Sequence, residues 1–278
     1  MPIIDRIVNI ASRPVPLRTL IVRRLLKRWP VGPYRARLQA GAVDRPHYGW
    51  CLYHAAVEAR ALGHKAMTVV ELGVAGGNGM VCILEHRREI ERDLGIQLVV
   101  VGFDAGTGLP ASDDPRDLLY CWREGSFEMD RAVLERRIRG QAELILGDVR
   151  TTIGQWDPRP DAPIGAILFD LDLYSSTASA FALFEKESTL PRIWCYFDDI
   201  CGNSEDAMTD RIGEREAIRL FNLDPRRAIQ NDHLSPAYAF KLSPPEAWHQ
   251  QIYAYHRLNH PDYNRNLSQY GKHQLQLS

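Results

Sequence analysis

The chain has 278 residues, 45% hydrophobic and 25% charged, with 34 Lys and Arg against 35 Asp and Glu for a formal net charge of -1. That composition excludes a disordered, fibrous or disulfide-scaffold chain and allows one large α/β domain with appendages or two small domains. The cysteines Cys51, Cys82, Cys121, Cys195 and Cys201 are odd in number and form no CxxC pair, so reduced thiols in a cytoplasmic protein are expected rather than a disulfide or zinc framework.

The charge is unevenly spread. Residues 1–48 hold ten Lys and Arg against Asp5 and Asp44, about +8, leaving the remainder about -9. Leu17, Leu20, Ile21, Leu25 and Leu26 recur at near-helical spacing in this arm, which suits an anionic membrane surface, a partner or the protein's own acidic body. Docking on the same domain or on a second subunit is the default expectation, hence a homodimer or higher homo-oligomer. Pro14, Pro16 and recurrent arginines argue against a secretory signal. No stretch of about 18 apolar residues predicts a transmembrane span.

After the arm, residues 48–62 read as a helix closed by Gly63, 68–72 as a buried strand, 80–94 as a helix ended by Gly95, and 97–103 as a second strand. A Gly-, Pro- and Asp-rich loop over 105–117 is long enough to be a lid or binding loop. A charged helix near 129–139, a strand at 143–146, a short helix from Arg150 and a strand at 165–169 follow, then a helix at 176–187, a strand at 193–197 and a helix at 214–221. The runs 237–242 and 250–255 lie close together and predict a terminal antiparallel hairpin, whereas strands separated by helices predict parallel crossovers. The expected fold is a doubly wound, mostly parallel α/β sheet of about seven strands over 47–258, with a basic, partly helical arm at 1–46 and a polar tail at 259–278.

Ligands bind outside the carboxyl ends of strands in such sheets, and those ends are acidic and glycine-rich here. Glu71-Leu72-Gly73-Val74-Ala75-Gly76-Gly77-Asn78-Gly79 makes a turn through which backbone can approach a ligand, and no Gly-Lys-Ser/Thr marks it as a P-loop. The turn alone also suits a nicotinamide cofactor or a plain strand-to-helix connection. Glu71, where a nicotinamide fingerprint carries an apolar residue, favours a cationic ligand moiety. Asp104 ends the second strand, placed to take both hydroxyls of a ribose. Gly147 and Asp148 end the third, where the acid suits a purine amine or caps the next helix. Asp170 and Asp172, two apart at one strand end, are expected on the same side, beside Asp198 and Asp199 on the neighbouring strand. Four such carboxylates repel unless a proton or cation neutralises them, and magnesium is the simplest occupant; caps and solvated acids are the alternative.

In their order along the chain these segments resemble class I S-adenosylmethionine-dependent methyltransferases, over roughly residues 48–256. Within that superfamily the chain is similar to the macrocin O-methyltransferase group of sugar O-methyltransferases. Phe103-Asp104-Ala105-Gly106-Thr107-Gly108-Leu109-Pro110 resembles the family's Asp-Ser-Phe-x-Gly-Leu-Pro loop, and Gly147-Asp148-Val149-Arg150-Thr151-Thr152 its Gly-Trp-Phe-x-x-Thr. Asp170-Leu171-Asp172-Leu173-Tyr174-Ser175-Ser176-Thr177 resembles Asp-Gly-Asp-Leu-Tyr-x-Ser-Thr, and Asp198-Asp199-Ile200 resembles Asp-Asp-Tyr. The departures (Ala105, Gly106, Leu171, Ile200) fall on the acceptor side more than on the cofactor side. The resemblance implies a Rossmann-like methyltransferase fold that uses S-adenosylmethionine and Mg2+ to methylate a hydroxyl of a glycoside, sugar or related small molecule, with no nucleic-acid partner. Cofactor contacts fall to Glu71, Gly73, Ala75, Gly77, Asp104, Gly147, Asp148 and Asp170, and metal contacts to Asp170, Asp172, Asp198 and Asp199. Asp170 or Asp172 is the expected base, with His54 and His233 as weaker candidates. Trp122, Tyr120 and Phe127 belong to the acceptor pocket, a lid or the core. A nicotinamide-dependent oxidoreductase and a non-catalytic cofactor-binding protein are the competing readings.

Overall fold

The computed structural model describes residues 17–202, 206–230, 232–237 and 246–267. The first helix, α1 (Leu17–Arg28), ends in Lys27 and Arg28, cations that complement the negative end of the helix dipole. After α2 (Tyr34–Gln39) comes α3 (Pro46–Leu62), opened by Pro46, whose missing N–H is no loss at a first helical position, and closed by Gly63 at φ 92°. Tyr34 and Leu38 of α2 are buried in the same apolar cluster as Leu52, Ala55, Ala56 and Ala59 of α3, so the second half of the basic arm packs into the domain core.

The core then builds strand by strand: β1 (Ala66–Leu72), α4 (Asn78–Leu94), β2 (Gln97–Asp104), α5 (Arg131–Ile138), β3 (Glu143–Leu146), α6 (Val149–Gln155), β4 (Ile164–Phe169), α7 (Tyr174–Ala180), β5 (Thr189–Phe197), α8 (Gly213–Leu223), α9 (Pro225–Gln230), β6 (Asp232–Pro236) and β7 (Ile252–Arg257). The strands form one seven-stranded sheet in the order β3-β2-β1-β4-β5-β7-β6, in which only β7 runs against its neighbours. This is the Rossmann-like, mostly parallel fold with an antiparallel end that the sequence implies. Strands buried on both faces read as unbroken apolar runs, and all seven residues of β1 are buried. Alternate residues serve opposite layers: Val69, Leu98, Val100 and Leu168 pack toward α3 and α4, while Val70, Val101, Ile167 and Phe169 pack against Phe181, Phe184 and Phe221. Phe169 and Phe197 stack with ring centroids 4.3 Å apart.

Three expected elements differ. The helix expected over 176–187 is α7 followed by a 3-10 turn at Phe181–Glu185, where Phe181, Leu183 and Phe184 all turn into the core, a demand that α-helical periodicity does not meet. The strand paired with β7 is β6, upstream of the expected 237–242; Ala237 lies outside it, and 238–242 fall outside the described residues. Gln250 and Gln251, expected to start β7, belong to a 3-10 turn at Ala247–Gln251. Among the described residues no helix is long and apolar enough to cross a membrane.

Candidate active site

Parallel register creates the site. Leu72 pairs with Phe103 on one side and Phe169 on the other, and Phe169 pairs with Phe197. The residues one step further, Gly73, Asp104, Asp170 and Asp198, therefore reach one rim. Backbone hydrogen bonds hold them there: Gly73 N–H to Phe103 O (2.9 Å), Asp170 N–H to Leu72 O (3.0 Å) and Asp198 N–H to Phe169 O (3.0 Å). The chain winds outward from β1 to β2 and β3, then returns to β4 on the other side, so β1 and β4 flank the topological switch point where a crevice opens. Gly73 sits there at φ 83°, and a Cβ on it would lie 1.8 Å from the Asp170 carbonyl oxygen, so only glycine fits.

The crevice encloses about 410 Å3. Phe103, Val149 and Leu171 give it an apolar wall, the loop after β2 contributes Leu109, Pro110, Trp122 and Phe127, and Asp104, Asp148, Asp170, Asp172, Asp198 and Asp199 line its polar side. Asp170, Asp198 and Asp199 place carboxylate oxygens within 4.8 Å of one another. Burial and then the neighbouring acids push Asp170 up to about 9, and burial and Asp198 push Asp172 up to about 7. Asp199 is raised as well, by burial and by Asp172 and Asp198. Oxygen-only donors drawn this close, with the ionised forms of Asp170 and Asp199 disfavoured for want of a counter-charge, fit a hard divalent cation such as Mg2+.

Asp172 is not a fourth member of that cluster. The strand ends at Phe169, and Asp172 takes a left-handed conformation (φ 59°), so the two-residue alternation that would set it beside Asp170 no longer applies. Its backbone N–H instead donates to Asp199 Oδ2 (3.0 Å), and its side chain faces the crevice separately.

The expected cofactor residues divide. Gly73, Ala75, Asp104, Asp148 and Asp170 line the crevice; Glu71, Gly77 and Gly147 do not. Asp104 accepts the N–H groups of Val74 (2.9 Å) and Ala75 (2.7 Å) on Oδ2 and that of Gly106 (2.6 Å) on Oδ1, so it clamps the glycine turn to the β2 loop and keeps one acceptor position on Oδ1. Asp148 caps α6 through Arg150 N–H (2.9 Å) and pairs with the Arg150 guanidinium, which holds its carboxyl below the usual range. Gly77 forms the N-cap of α4. Glu71 is turned inward against Tyr48 OH (3.4 Å), and burial pushes it up to about 8.

Neither histidine candidate reaches the crevice. His54 lies in α3 among Trp50, Tyr53 and Trp194, where burial lowers it to about 4, and His233 is exposed on the edge strand β6. Tyr120 is exposed and donates its hydroxyl to Asp206 O (2.6 Å), while Trp122 and Phe127 approach with ring centroids 6.0 Å apart.

Three supporting residues escape the sequence reading. Glu214, fully buried, accepts Asp199 N–H on Oε2 (3.0 Å), and burial with Asp199 raises it well above the carboxylate range. It occupies the same helical stripe as Ala217, Ile218 and Phe221, and an acid on an apolar stripe is the signal that marks it. Asp117, also fully buried, accepts Ser175 N–H and Ser175 Oγ–H, both at 2.7 Å, and so ties the long loop to the start of α7. Tyr196 donates its hydroxyl to Asp198.

No protein-family model matches the chain, and no curated protein matches it. Among solved structures it is similar to CalS11, a calicheamicin methyltransferase (18% identity over 87% of this chain and 92% of that one, TM-score 0.49). It is also similar to a Podospora anserina methyltransferase, PaMTH1, bound to SAH (11%, 92% and 97%, TM-score 0.43) and to an O-methyltransferase from Bacillus cereus in complex with SAH (14%, 91% and 95%, TM-score 0.39).

Proposed function

We propose that the protein is an S-adenosylmethionine-dependent, Mg2+-assisted O-methyltransferase acting on a hydroxyl of a sugar or related small molecule. The observation that carries this reading is the meeting of Asp170, Asp198 and Asp199 within 4.8 Å at the switch point, next to the Gly73 turn. The motif resemblance over 103–110, 147–152, 170–177 and 198–200 supplies the cofactor and acceptor class. In this reading Asp170, Asp198 and Asp199 hold the cation, which when bound supplies Lewis acidity and orientation. The Gly73 turn and Ala75 admit the cofactor backbone-close, the remaining Asp104 acceptor takes a ribose hydroxyl, and Phe103, Val149 and Leu171 exclude water from its base. Asp172, outside the cation cluster and raised to about 7 by burial and Asp198, would take the acceptor's proton, and the cofactor when bound would supply the methyl group. The products are the methyl ether and S-adenosylhomocysteine.

Isothermal titration of S-adenosylmethionine and, separately, NAD, each with and without Mg2+, tests the reading. Micromolar binding of S-adenosylmethionine, on the order of -8 kcal/mol, with none of NAD, is expected. Binding of NAD alone selects an oxidoreductase. Full methyl transfer by Asp170→Asn and Asp199→Asn in chelator removes the metal from the proposal.

A further inference from the structure

Helix α1 is held to the domain by one side. Arg23 donates to Ala40 O (2.6 Å) and pairs with Glu246 (2.6 Å), and Lys27 pairs with Asp44 (2.6 Å). At 100° per residue, Ile21, Leu25 and, just past the helix end, Trp29 form a single stripe turned away from Arg23, with Val22 on its edge. They are 52%, 48%, 48% and 62% exposed, and Val31, just beyond, is 67% exposed. Arg24 and Arg28 border the stripe on its Ile21 side and Arg18 falls within it, all three exposed. Large aliphatic side chains and a tryptophan this open, bordered by cations, are what an interfacial helix presents to a bilayer surface.

We propose that the outward face of α1 docks the protein on an anionic lipid surface, with Ile21, Val22, Leu25 and Trp29 entering the headgroup boundary and Arg18, Arg24 and Arg28 meeting lipid phosphates. Charge decides between this occupant and a second copy of the chain. A two-fold dimer on this face would bring the arginines of both copies together, because an isologous contact presents the same patch twice. An anionic surface pairs with them instead. The helix has 12 residues, about 18 Å, so it lies on the bilayer rather than crossing it. The surface is independent of the methyl-transfer reading.

Co-sedimentation of the full chain with vesicles of phosphatidylcholine plus phosphatidylglycerol, against vesicles of phosphatidylcholine alone, tests it. Partition at least about tenfold stronger to the anionic vesicles is expected, weakening as salt screens the arginines. Leu25→Glu, and separately the pair Arg24→Glu and Arg28→Glu, should each reduce it about tenfold or more. These positions are exposed, and unchanged far-UV circular dichroism checks that the variants fold. Equal partition to both vesicle types overturns the proposal. So does a dimer in sedimentation that Leu25→Glu splits while vesicle binding is absent.

Discussion

Glu214 Oε2 accepts the backbone N–H of Asp199 at 3.0 Å, so one buried acid fixes the backbone from which another projects. Glu214→Gln keeps an acceptor for that N–H but removes a carboxyl that can ionise when a cation binds beside it, and Mg2+ affinity should fall about tenfold with the fold intact. Glu214→Ala leaves the N–H unpaired and should cost about 1–3 kcal/mol in urea unfolding. Identical Mg2+ affinity in wild type and Glu214→Gln would remove this residue from the site.

The raised acids make the cation-free protein sensitive to alkali. Asp170 at about 9 and Asp172 at about 7 hold protons that the unfolded chain has lost above its ordinary carboxylate range. Through these two groups the native state binds more protons than the unfolded state from about pH 4 to about pH 9, and the stability they contribute falls as pH rises through that window. Mg2+ favours the ionised carboxylates, so its stabilising effect should be larger near pH 8.5 than near pH 6. Thermal unfolding at both values, with Mg2+ or chelator, reads this at about 2–4 °C per kcal/mol for a chain of this size; a pH-independent Mg2+ effect would contradict it.

Gly73→Ala should be severe. The added Cβ meets the Asp170 carbonyl oxygen at 1.8 Å in a backbone region that disfavours side chains. Loss of at least about 2–3 kcal/mol is expected, read as a lower urea midpoint, together with loss of S-adenosylmethionine binding by calorimetry. Wild-type values on both would show that the β1 turn can move away from β4.

Asp117→Ala should free the long loop while leaving the acids in place. Ser175 loses the acceptor of its N–H and its hydroxyl, a cost of about 1–3 kcal/mol. Because Leu109, Pro110, Trp122 and Phe127 enter the crevice from this loop, KM for the acceptor should rise more than kcat falls. An unchanged KM would place the acceptor elsewhere.

His54→Ala should leave kcat within about twofold. Its ring is packed among Trp50, Tyr53 and Trp194 rather than on the crevice, so the loss is one of packing, about 1–3 kcal/mol in stability. A kcat lowered a hundredfold at unchanged fold would restore it as a base.

The sequence by itself determined the layers and the rim. Apolar runs such as Ala66–Leu72 and Ile164–Phe169, alternating with helical segments, read as buried parallel strands, and parallel strands put all their carboxyl ends on one side, so Asp104, Asp170 and Asp198 were expected at one rim. Local periodicity and chain punctuation carry that much because they act over a few residues. Tertiary structure alone decided which acids share a cation-sized space and which do other work. Asp172 leaves the cluster through one left-handed backbone angle. Asp104 spends half of its acceptor capacity on the turn of a different strand, and Asp148 turns to Arg150. Glu214 and Asp117 enter from 15 and 58 residues away in the chain. A carboxylate's role depends on which donors and charges lie within a few ångströms, and those neighbours are assigned by the packing of the whole sheet.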